Sequence, residues 1–358
     1  MSVQSVYFSD NYCVTTKDKD TDSDLNKYPM FSITKSGYKF RDEDIGGYIK
    51  GEVEDVVHGF LFLNKCSFQN GNSYEDTAML WKCPMNAMEN NSTTIDKKKV
   101  SNYIDSIIAK YKLKCGAVVV PFVHMEELKK VFRNSTPVYS NIEAFIQMKN
   151  IYEDTVFYVV DEYDMYRVDY MDGRIAPNCY GFCGNIMSVI SCICRDMIEK
   201  MRDSFISTGI RTKSIEYKKI CKKLYFIVLM KLIEENNDSG KMNLDCLFGT
   251  QDLELGIKKD GEVITYKLDC NSANEICKSW IDKFINDVKL YISKDMGDSD
   301  IKYYIIGDFA HLLYNAEFNR NNIVDPKCIE YFSKGGASLF KRANHSDFHS
   351  FMSTIYGM

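Results

Sequence analysis

The stretch that decides the fold is Y-Y-I-I-G-D-F-A-H-L-L-Y-N-A, at residues 303–316. Four strand-type residues end at Gly307, and the spacing of the apolar residues after it predicts a helix that begins at Ala310. Backbone N–H groups and the positive dipole end at the start of a helix attract phosphate. The stretch therefore predicts a strand–turn–helix element that cradles a phosphate or nucleotide. The alternative is an ordinary turn in which Asp308 caps the helix.

The composition is that of a globular protein. The chain has 358 residues, of which 45% are hydrophobic and 27% charged, enough for two packed domains. Its net charge of −5 argues against general nucleic-acid binding, which needs a basic face. No secretory signal and no apolar run of membrane-spanning length is visible. With thirteen scattered cysteines, these features predict a reduced, cytoplasmic protein without membrane association.

Two predicted hairpin turns carry acidic residues, and each follows a strand-type run. The first turn covers residues 9–11 and the second covers residues 161–164. An open α/β sheet binds its ligand at the carboxyl ends of its strands. Two such half-domains facing each other would form a cleft suited to Mg²⁺ and a nucleotide, with aspartate holding the metal and turn N–H groups holding phosphate.

The rest of the chain alternates strands with helices, which indicates the α/β class. Apolar periodicity predicts helices at residues 141–149, 184–201 and 215–234. Asp260 and Gly261 predict the turn of a hairpin formed by residues 253–257 and 263–268. Ser272 and Glu275 predict a capping box at the start of a long helix that ends near residue 293.

The order of these segments carries a family resemblance. Residues 137–143, a helix, and the strand that ends at Asp161 lead into the second acidic turn, and Asp172–Gly173 follows it. The stretch I-G-D-F-A at residues 306–310 stands where ParM-type proteins have I-G-G-G-A. This order resembles that of the actin-like ATPase superfamily, and within it the ParM-type plasmid-segregation actins. The resemblance covers residues 100–340, with further agreement in residues 1–20.

The resemblance implies an α/β actin-like fold, with two domains that each contain a mixed sheet flanked by helices, around a central nucleotide cleft. Residues 1–157 and 331–358 would form domain I, and residues 158–330 domain II. The implied function is nucleotide-dependent polymerisation into filaments that segregate plasmid DNA, with slow ATP or GTP hydrolysis and Mg²⁺. The implied partners are further copies of the chain and a DNA-bound adaptor protein, without direct nucleic-acid binding.

The resemblance also implies roles for particular residues. Asp10 and Asp161 would hold the metal. Asp161 and Glu143 would act in catalysis, since Glu143 is the carboxylate nearest to Tyr139, where the family's water-activating glutamate falls. The nucleotide would contact a wider set: Asp10, Asn11, Lys17, Asp161, Asp164, Glu216, Lys219, Gly307, Asp308 and Phe309.

Most of these residues also have plain structural interpretations. Asp161 suits a turn cap, Phe309 a core position, and Asp10 with Lys17 a surface pair at a hairpin end. Glu143 and the first turns of the 215–234 helix suit solvated helix faces.

Several glycines of the family pattern are absent from this sequence. Tyr12 replaces the glycine of the first phosphate loop, residues 162–164 (E-Y-D) replace the second glycine-rich turn, and Asp308 and Phe309 replace two glycines of the third motif. Glycine lets the backbone approach phosphate closely. The alternative is therefore a degenerate actin-like protein that keeps the fold and acts as a non-hydrolysing structural or binding partner. A sugar kinase of the same superfamily would need a catalytic aspartate in a substrate cleft, for which no candidate stands out.

Overall fold

The structure, a computed structural model, describes most of the second half of the chain and selected parts of the first. The described residues are 5–9, 11–16, 25–29, 31–33, 56–58, 101, 104–105, 107–109, 112–113, 115–132, 136–162, 165–176, 180–181, 185–211, 214–234, 244–297, 300–314, 316, 318, 322–325 and 327–356. Three of the predicted site residues, Asp10, Lys17 and Asp164, lie outside them.

The strands are β1 (Ser5–Phe8), β2 (Tyr12–Thr16), β3 (Leu25–Pro29), β4 (Phe31–Ile33), β5 (Val56–His58), β6 (Ala117–Val120), β7 (Val138–Ser140), β8 (Thr155–Val160), β9 (Met165–Met171), β10 (Arg174–Ile175), β11 (Tyr180–Gly181), β12 (Leu253–Lys259), β13 (Glu262–Leu268), β14 (Lys302–Ile306) and β15 (Asn322–Val324). The α-helices are α1 (Met125–Leu128), α2 (Asn141–Lys149), α3 (Ile186–Lys200), α4 (Arg202–Ser207), α5 (Ile215–Glu234), α6 (Cys270–Met296) and α7 (Cys328–Tyr356). Short 3₁₀ helices cover Phe122–His124, Leu244–Cys246 and Ala310–Leu313.

Two mixed sheets share one strand order. The first sheet runs β3-β2-β1-β6-β7, and the main path of the second runs β10-β9-β8-β14-β15, with β11 pairing to β9. In each sheet the first three strands in the chain pair antiparallel. On the other side of that first strand, two later strands pair parallel: β6 pairs with β1 and β7 with β6 in the first sheet, and β14 pairs with β8 and β15 with β14 in the second. The expected α/β class, with mixed sheets flanked by helices, is confirmed at this level.

Helices α2 and α7 pack between the two sheets. Strand alternation sends Tyr7 of β1 to this side, while Val6 and Phe8 pack on the opposite face. The ring of Phe145 in α2 lies 5.3 Å from that of Tyr304 in β14, and Tyr7 lies 5.0 Å from Phe332 in α7. The two sheets therefore share one continuous apolar core.

Two glycines allow α7 to approach its neighbours closely. A Cβ added at Gly335 would lie 2.0 Å from the carbonyl oxygen of Ala144 in α2, and one at Gly336 would lie 2.4 Å from Val119 in β6. A longer side chain at either position would push the helix off the first sheet. Ser333 on the same helix donates a 2.9 Å hydrogen bond to the carbonyl oxygen of Ser5 in β1.

The second half adds a hairpin and the long helix α6. Strands β12 and β13 pair antiparallel around Asp260 and Gly261, both with positive φ, which confirms the predicted turn. The predicted capping box of Ser272 and Glu275 is wrong. Asp269 is the N-cap and accepts a 2.9 Å hydrogen bond from the N–H of Ser272, so the helix begins at Cys270. In the predicted box, the Glu275 side chain would have accepted from the Ser272 N–H; the Asp269 carboxylate accepts from that N–H group instead.

Candidate functional site

The carboxyl ends of β8 and β14 lie side by side, because the two strands are parallel with Ile306 opposite Val159. Gly307 follows β14 with φ of 116°. A Cβ at this position would lie 2.6 Å from the carbonyl oxygen of Val160 and 2.7 Å from Oδ1 of Asp161. Only glycine fits here, both for its backbone angle and for the close approach of β8.

Asp308 joins the two sheets. Its side chain is buried, with 1% of its surface exposed. The hydroxyl of Tyr7 in β1 donates to Oδ1 at 3.1 Å, and the amide of Asn11 in the first hairpin turn donates to Oδ2 at 3.1 Å. Both carboxylate oxygens of a residue from the second sheet thus accept hydrogen bonds from the first.

Asp161, in the second hairpin turn, completes this cluster. Its Oδ1 accepts a 2.8 Å hydrogen bond from the backbone N–H of Asp308. Burial raises the pKa of Tyr7 well above its ordinary value, and the negative charges of Asp308 and Asp161 raise that pKa further. Tyr7 therefore stays protonated and serves as a donor. The structure brings together four predicted site residues: Asn11, Asp161, Gly307 and Asp308.

The helix predicted to begin at Ala310 forms only as a short 3₁₀ helix, not as an α-helix. A single 3₁₀ turn covers Ala310–Leu313, its N-cap is Phe309, and no side chain caps it. The N–H of Phe309 donates to the carbonyl oxygen of Val160 at 2.9 Å, and that of Ala310 donates to Gly307 at 3.2 Å. These bonds to β8 and within the turn use the N–H groups that a phosphate cradle would present. Asp308 does not cap this turn.

The Phe309 side chain is fully buried, with its ring centroid 5.9 Å from that of His311. Nε2 of His311 lies 2.9 Å from the carbonyl oxygen of Leu232 in α5. The turn after β14 is thus packed into the core between β8 and α5. This environment matches the core interpretation of Phe309.

Glu162 ties the second hairpin turn to the helices. Its side chain is 1% exposed and accepts a 2.5 Å hydrogen bond from the hydroxyl of Tyr225 in α5. Its carbonyl oxygen accepts a 2.9 Å bond from the N–H of Met187 at the start of α3. Side chains from α5 therefore reach the turn where the family pattern has a glycine-rich loop.

The remaining predicted residues lie elsewhere. Glu143 forms a capping box with Ser140: its Oε2 accepts from the Ser140 N–H at 2.7 Å, and its own N–H donates to Ser140 Oγ at 3.1 Å. Glu216 and Lys219 lie in the first turns of α5. A hydrogen bond from its own backbone and one from Ser214 lower the pKa of Glu216. In the part of the chain that the structure describes, Glu216 and Lys219 have no hydrogen bond or ion pair to Asn11 or Asp308.

Two tyrosines of the cluster were missed by sequence reasoning. Tyr7 and Tyr225 sit in apolar runs that indicate a strand and a helix, and nothing in their spacing points to Asp308 or Glu162. One general signal was present: a buried tyrosine hydroxyl needs a hydrogen-bond partner. Across the described ranges, no group of three or more histidine, cysteine, aspartate or glutamate side chains is placed to hold a metal ion. Within the same ranges, no helix is both long and apolar enough to span a bilayer.

Comparisons with known proteins do not assign a family. The chain matches no protein-family model, and no curated protein is similar to it in sequence. The fold and the site together define a class by geometry alone. It is a mixed α/β protein with two sheets of one strand order, joined at a buried aspartate next to both hairpin turns.

Proposed function

We propose that this chain is a degenerate actin-like protein, which keeps two like domains and acts as a structural or binding partner without hydrolysing a nucleotide. The repeated strand order of the two sheets supports the actin-like part of the proposal, because the resemblance implies two like domains around a cleft. The two acidic hairpin turns lie at equivalent places, each after the first strand of its sheet.

The main observation in support of a protein that does not hydrolyse nucleotide is the buried carboxylate of Asp308. It stands where the family pattern has a small glycine, and both of its oxygens bond to Tyr7 and Asn11. A negative charge there repels phosphate unless a cation bridges the two. The protein's own side chains thus fill hydrogen-bonding positions that a nucleotide would need.

The second turn supports the same conclusion. Asp161 bonds to the N–H of Asp308, and Glu162 is buried against Tyr225. At the β14 turn the described residues do not fit a bound phosphate, because the N–H groups of Asp308 and Phe309 donate to protein oxygens. The described carboxylates near this turn do not form a group that could hold Mg²⁺ either.

Thermal unfolding with and without nucleotide tests this proposal. A ligand that binds only the folded state at about 100 times its dissociation constant adds about 2.7 kcal/mol of stability. We expect no shift of the midpoint with Mg²⁺ and ATP, GTP or ADP at millimolar concentration, and no phosphate release. A saturable shift with any of them contradicts the proposal.

Asp308→Asn is the matched variant for this test, because it removes the charge and keeps the shape of the side chain. A midpoint shift with nucleotide in this variant but not in the wild type identifies the Asp308 charge as the barrier. If neither protein responds, the Asp308 charge is not the only barrier to nucleotide binding.

A second candidate is the ParM-like function: polymerisation driven by ATP or GTP with Mg²⁺, to segregate plasmid DNA through a DNA-bound adaptor. The observation in its favour is the meeting of both hairpin turns at Asp308, because ligands of open α/β sheets bind at the carboxyl ends of strands. Pelleting and electron microscopy with and without nucleotide test it. Filaments that form only with nucleotide would support it, and an unchanged particle size would contradict it.

A further inference from the structure

The hairpin of β12 and β13 has one covered edge and one open edge. On the β12 side, Lys223 of α5 is buried and donates a 2.5 Å hydrogen bond to the carbonyl oxygen of Gly256. Strand β13 pairs with β12, and no other strand of the described ranges pairs with it. Three residues of β13 are exposed on its solvent side, namely Val263, Thr265 and Lys267. The outer side of β13 is therefore an open strand edge, seven residues long.

The register of the hairpin determines which backbone groups of β13 point outward. Lys259 lies opposite Glu262 across the two-residue turn, and the pair that closes such a turn is hydrogen-bonded. Hydrogen-bonded pairs alternate with pairs whose N–H and C=O groups point away from the partner strand. Thr265, opposite Gly256, belongs to the second kind, as do the residues two places before and after it. The bond from Lys223 to the Gly256 carbonyl agrees with this alternation.

Val263, Thr265 and Lys267 thus present their backbone N–H and C=O groups along one edge. In the part of the chain that the structure describes, no hydrogen bond from another element reaches these groups. Unpaired backbone groups in this arrangement are a template for a further strand, because the same groups hold a sheet together. The β13 edge therefore suits a partner that offers an extended strand.

The sequence of β13 is complementary to a second copy of itself in the antiparallel direction. With Thr265 opposite Thr265 of the other copy, Val263 of each copy lies opposite Lys267 of the other. All three positions have outward backbone groups, so the opposing residues form about six hydrogen bonds. On the other face of the strand Ile264 lies opposite Tyr266. Threonine pairs and pairs of a β-branched with an aromatic residue are favourable across strands, and no two lysines lie opposite each other.

We propose that two copies of this chain pair through β13 into a two-fold symmetric dimer with one antiparallel four-stranded sheet. The strand order is β12-β13-β13-β12, and Lys223 of α5 occupies the outer edge of each β12. A two-fold contact uses the same surface on both copies, so it closes after two and does not extend into a chain. The edge of one strand buries little area, which makes the dimer weak and dependent on protein concentration. It needs no nucleotide and no residue of the cleft.

Sedimentation velocity over a concentration series tests the proposal on the full chain. The wild type is expected to pass from monomer to dimer, and no further, as its concentration rises to about 500 µM. Thr265→Pro removes an outward N–H group that the hairpin itself does not use, so it should abolish dimerisation and keep the fold. Thr265→Val is the matched control, because it keeps the backbone groups and should dimerise like the wild type. A wild type that stays monomeric, or a Thr265→Pro variant that dimerises equally well, overturns the proposal.

Substitutions at Val263 give a second test that leaves every backbone group in place. Val263→Lys puts two like charges opposite each other at both ends of the contact and should raise the dissociation constant of the dimer about tenfold. Val263→Glu puts a carboxylate opposite Lys267 and should lower that constant about threefold. Circular dichroism checks that both variants are folded. Equal dissociation constants for the two variants would contradict the pairing of β13 with itself.

Thr265→Cys tests the position of the two-fold axis. Opposite residues of a hydrogen-bonded pair have Cα atoms about 5.5 Å apart, which a disulfide can span. With dissolved oxygen as the oxidant, Thr265→Cys should form more disulfide-linked dimer on a non-reducing gel than Val263→Cys, which has no cysteine opposite it. The wild type gives the background from its own cysteines, such as the exposed Cys246. No excess of linked dimer at position 265 would overturn the proposal. None of these measurements involves nucleotide, so they are separate from the thermal test of the cleft.

Discussion

The two hairpin turns occupy equivalent places in the two sheets and have opposite hydrogen-bonding roles towards Asp308. Four residues separate Phe8 from its partner Cys13 in the first hairpin, and four separate Val160 from Met165 in the second. The first turn donates, through the Asn11 amide, to the Asp308 carboxylate. The second turn accepts, through Asp161, from the Asp308 backbone. Asp308 therefore forms hydrogen bonds to both turns, once as acceptor and once as donor. The repeated strand order of the two sheets does not require that their turns form the same kind of bond.

The largest loss of stability is expected when a side-chain atom is added at Gly307, where β14 ends close to the backbone of β8. Gly307→Ala should destabilise the protein by about 4 kcal/mol, because the new Cβ meets two backbone atoms of Val160 that cannot move away. Urea denaturation measures the change.

Gly261→Ala is the matched control for this substitution. Gly261 has φ of 92° and no atom within 4 Å of an added Cβ, so it should show only the backbone cost of about 1 kcal/mol. Equal losses in the two variants would mean that the approach of β8 is not what requires glycine at position 307.

The next largest loss of stability is expected when the hydrogen bonds of Asp308 to the first sheet are removed and its bond to the second turn is kept. Asp308→Ala should cost about 3 kcal/mol, because it leaves the Tyr7 hydroxyl and the Asn11 amide buried without their acceptor. The N–H bond to Asp161 does not involve the removed side chain and should persist. Double-mutant cycles with Tyr7→Phe and Asn11→Ala should give strong coupling to Asp308. Additive losses would show that the two sheets are not joined through this carboxylate.

A smaller effect is expected in the second turn. Tyr225→Phe removes the hydroxyl that bonds to Glu162 and should cost about 1.5 kcal/mol. Chemical denaturation with Tyr217→Phe as control measures it, since Tyr217 is also in α5 and is only partly buried. A loss as large as that of Asp308→Ala would mean that the second turn depends on its helix as much as the first depends on Asp308.

The smallest expected effect is a pH dependence confined to the second half. Lys223 in α5 is 4% exposed and donates to the carbonyl oxygen of Gly256. Burial, with the nearby charge of Lys219, lowers its pKa from 10.5 to about 8. Between these two pKa values the unfolded chain binds more protons than the folded protein, so the free energy of unfolding rises with pH. Below pH 8 the lysine is charged in both states, and the full cost of burying that charge is present.

Lys223→Met tests this expectation. From pH 7 to pH 9 the wild type should gain about 1 kcal/mol relative to the variant. Denaturation curves at both pH values give the comparison. A difference that does not change with pH would mean that Lys223 keeps an ordinary pKa in the folded protein.

Elements with a clear pattern and a local boundary were predictable from sequence. Helices α2 and α5 have the predicted bounds, and the β12–β13 turn falls at Asp260 and Gly261 as predicted. The 3₁₀ type and the short length of the helix after Gly307 were not predictable, because all four of its residues are buried and no single apolar face marks its extent. Hydrogen bonds to β8 decide the conformation there, and a local pattern contains no information about β8.

The site was predictable in its members and not in its bonds. Asn11, Asp161 and Asp308 were expected near one another because each follows a strand at the same edge of its sheet. The Tyr7–Asp308 bond joins residues 301 positions apart, and the Glu162–Tyr225 bond joins residues 63 apart. Such contacts follow from how the helices and sheets pack, so the sequence spacing of their members does not indicate them.

The position of α7 sets the timing of folding during synthesis. Ser5 and Ser333 bond across 328 positions of the chain, and Phe332 covers the inner face of Tyr7. A ribosome adds roughly 5–20 residues per second. For tens of seconds after α2 is made, the part of this face of the first sheet that α7 covers therefore stays exposed, until α7 emerges. The nascent chain is thus most exposed to aggregation and to chaperone binding while its second half is being made.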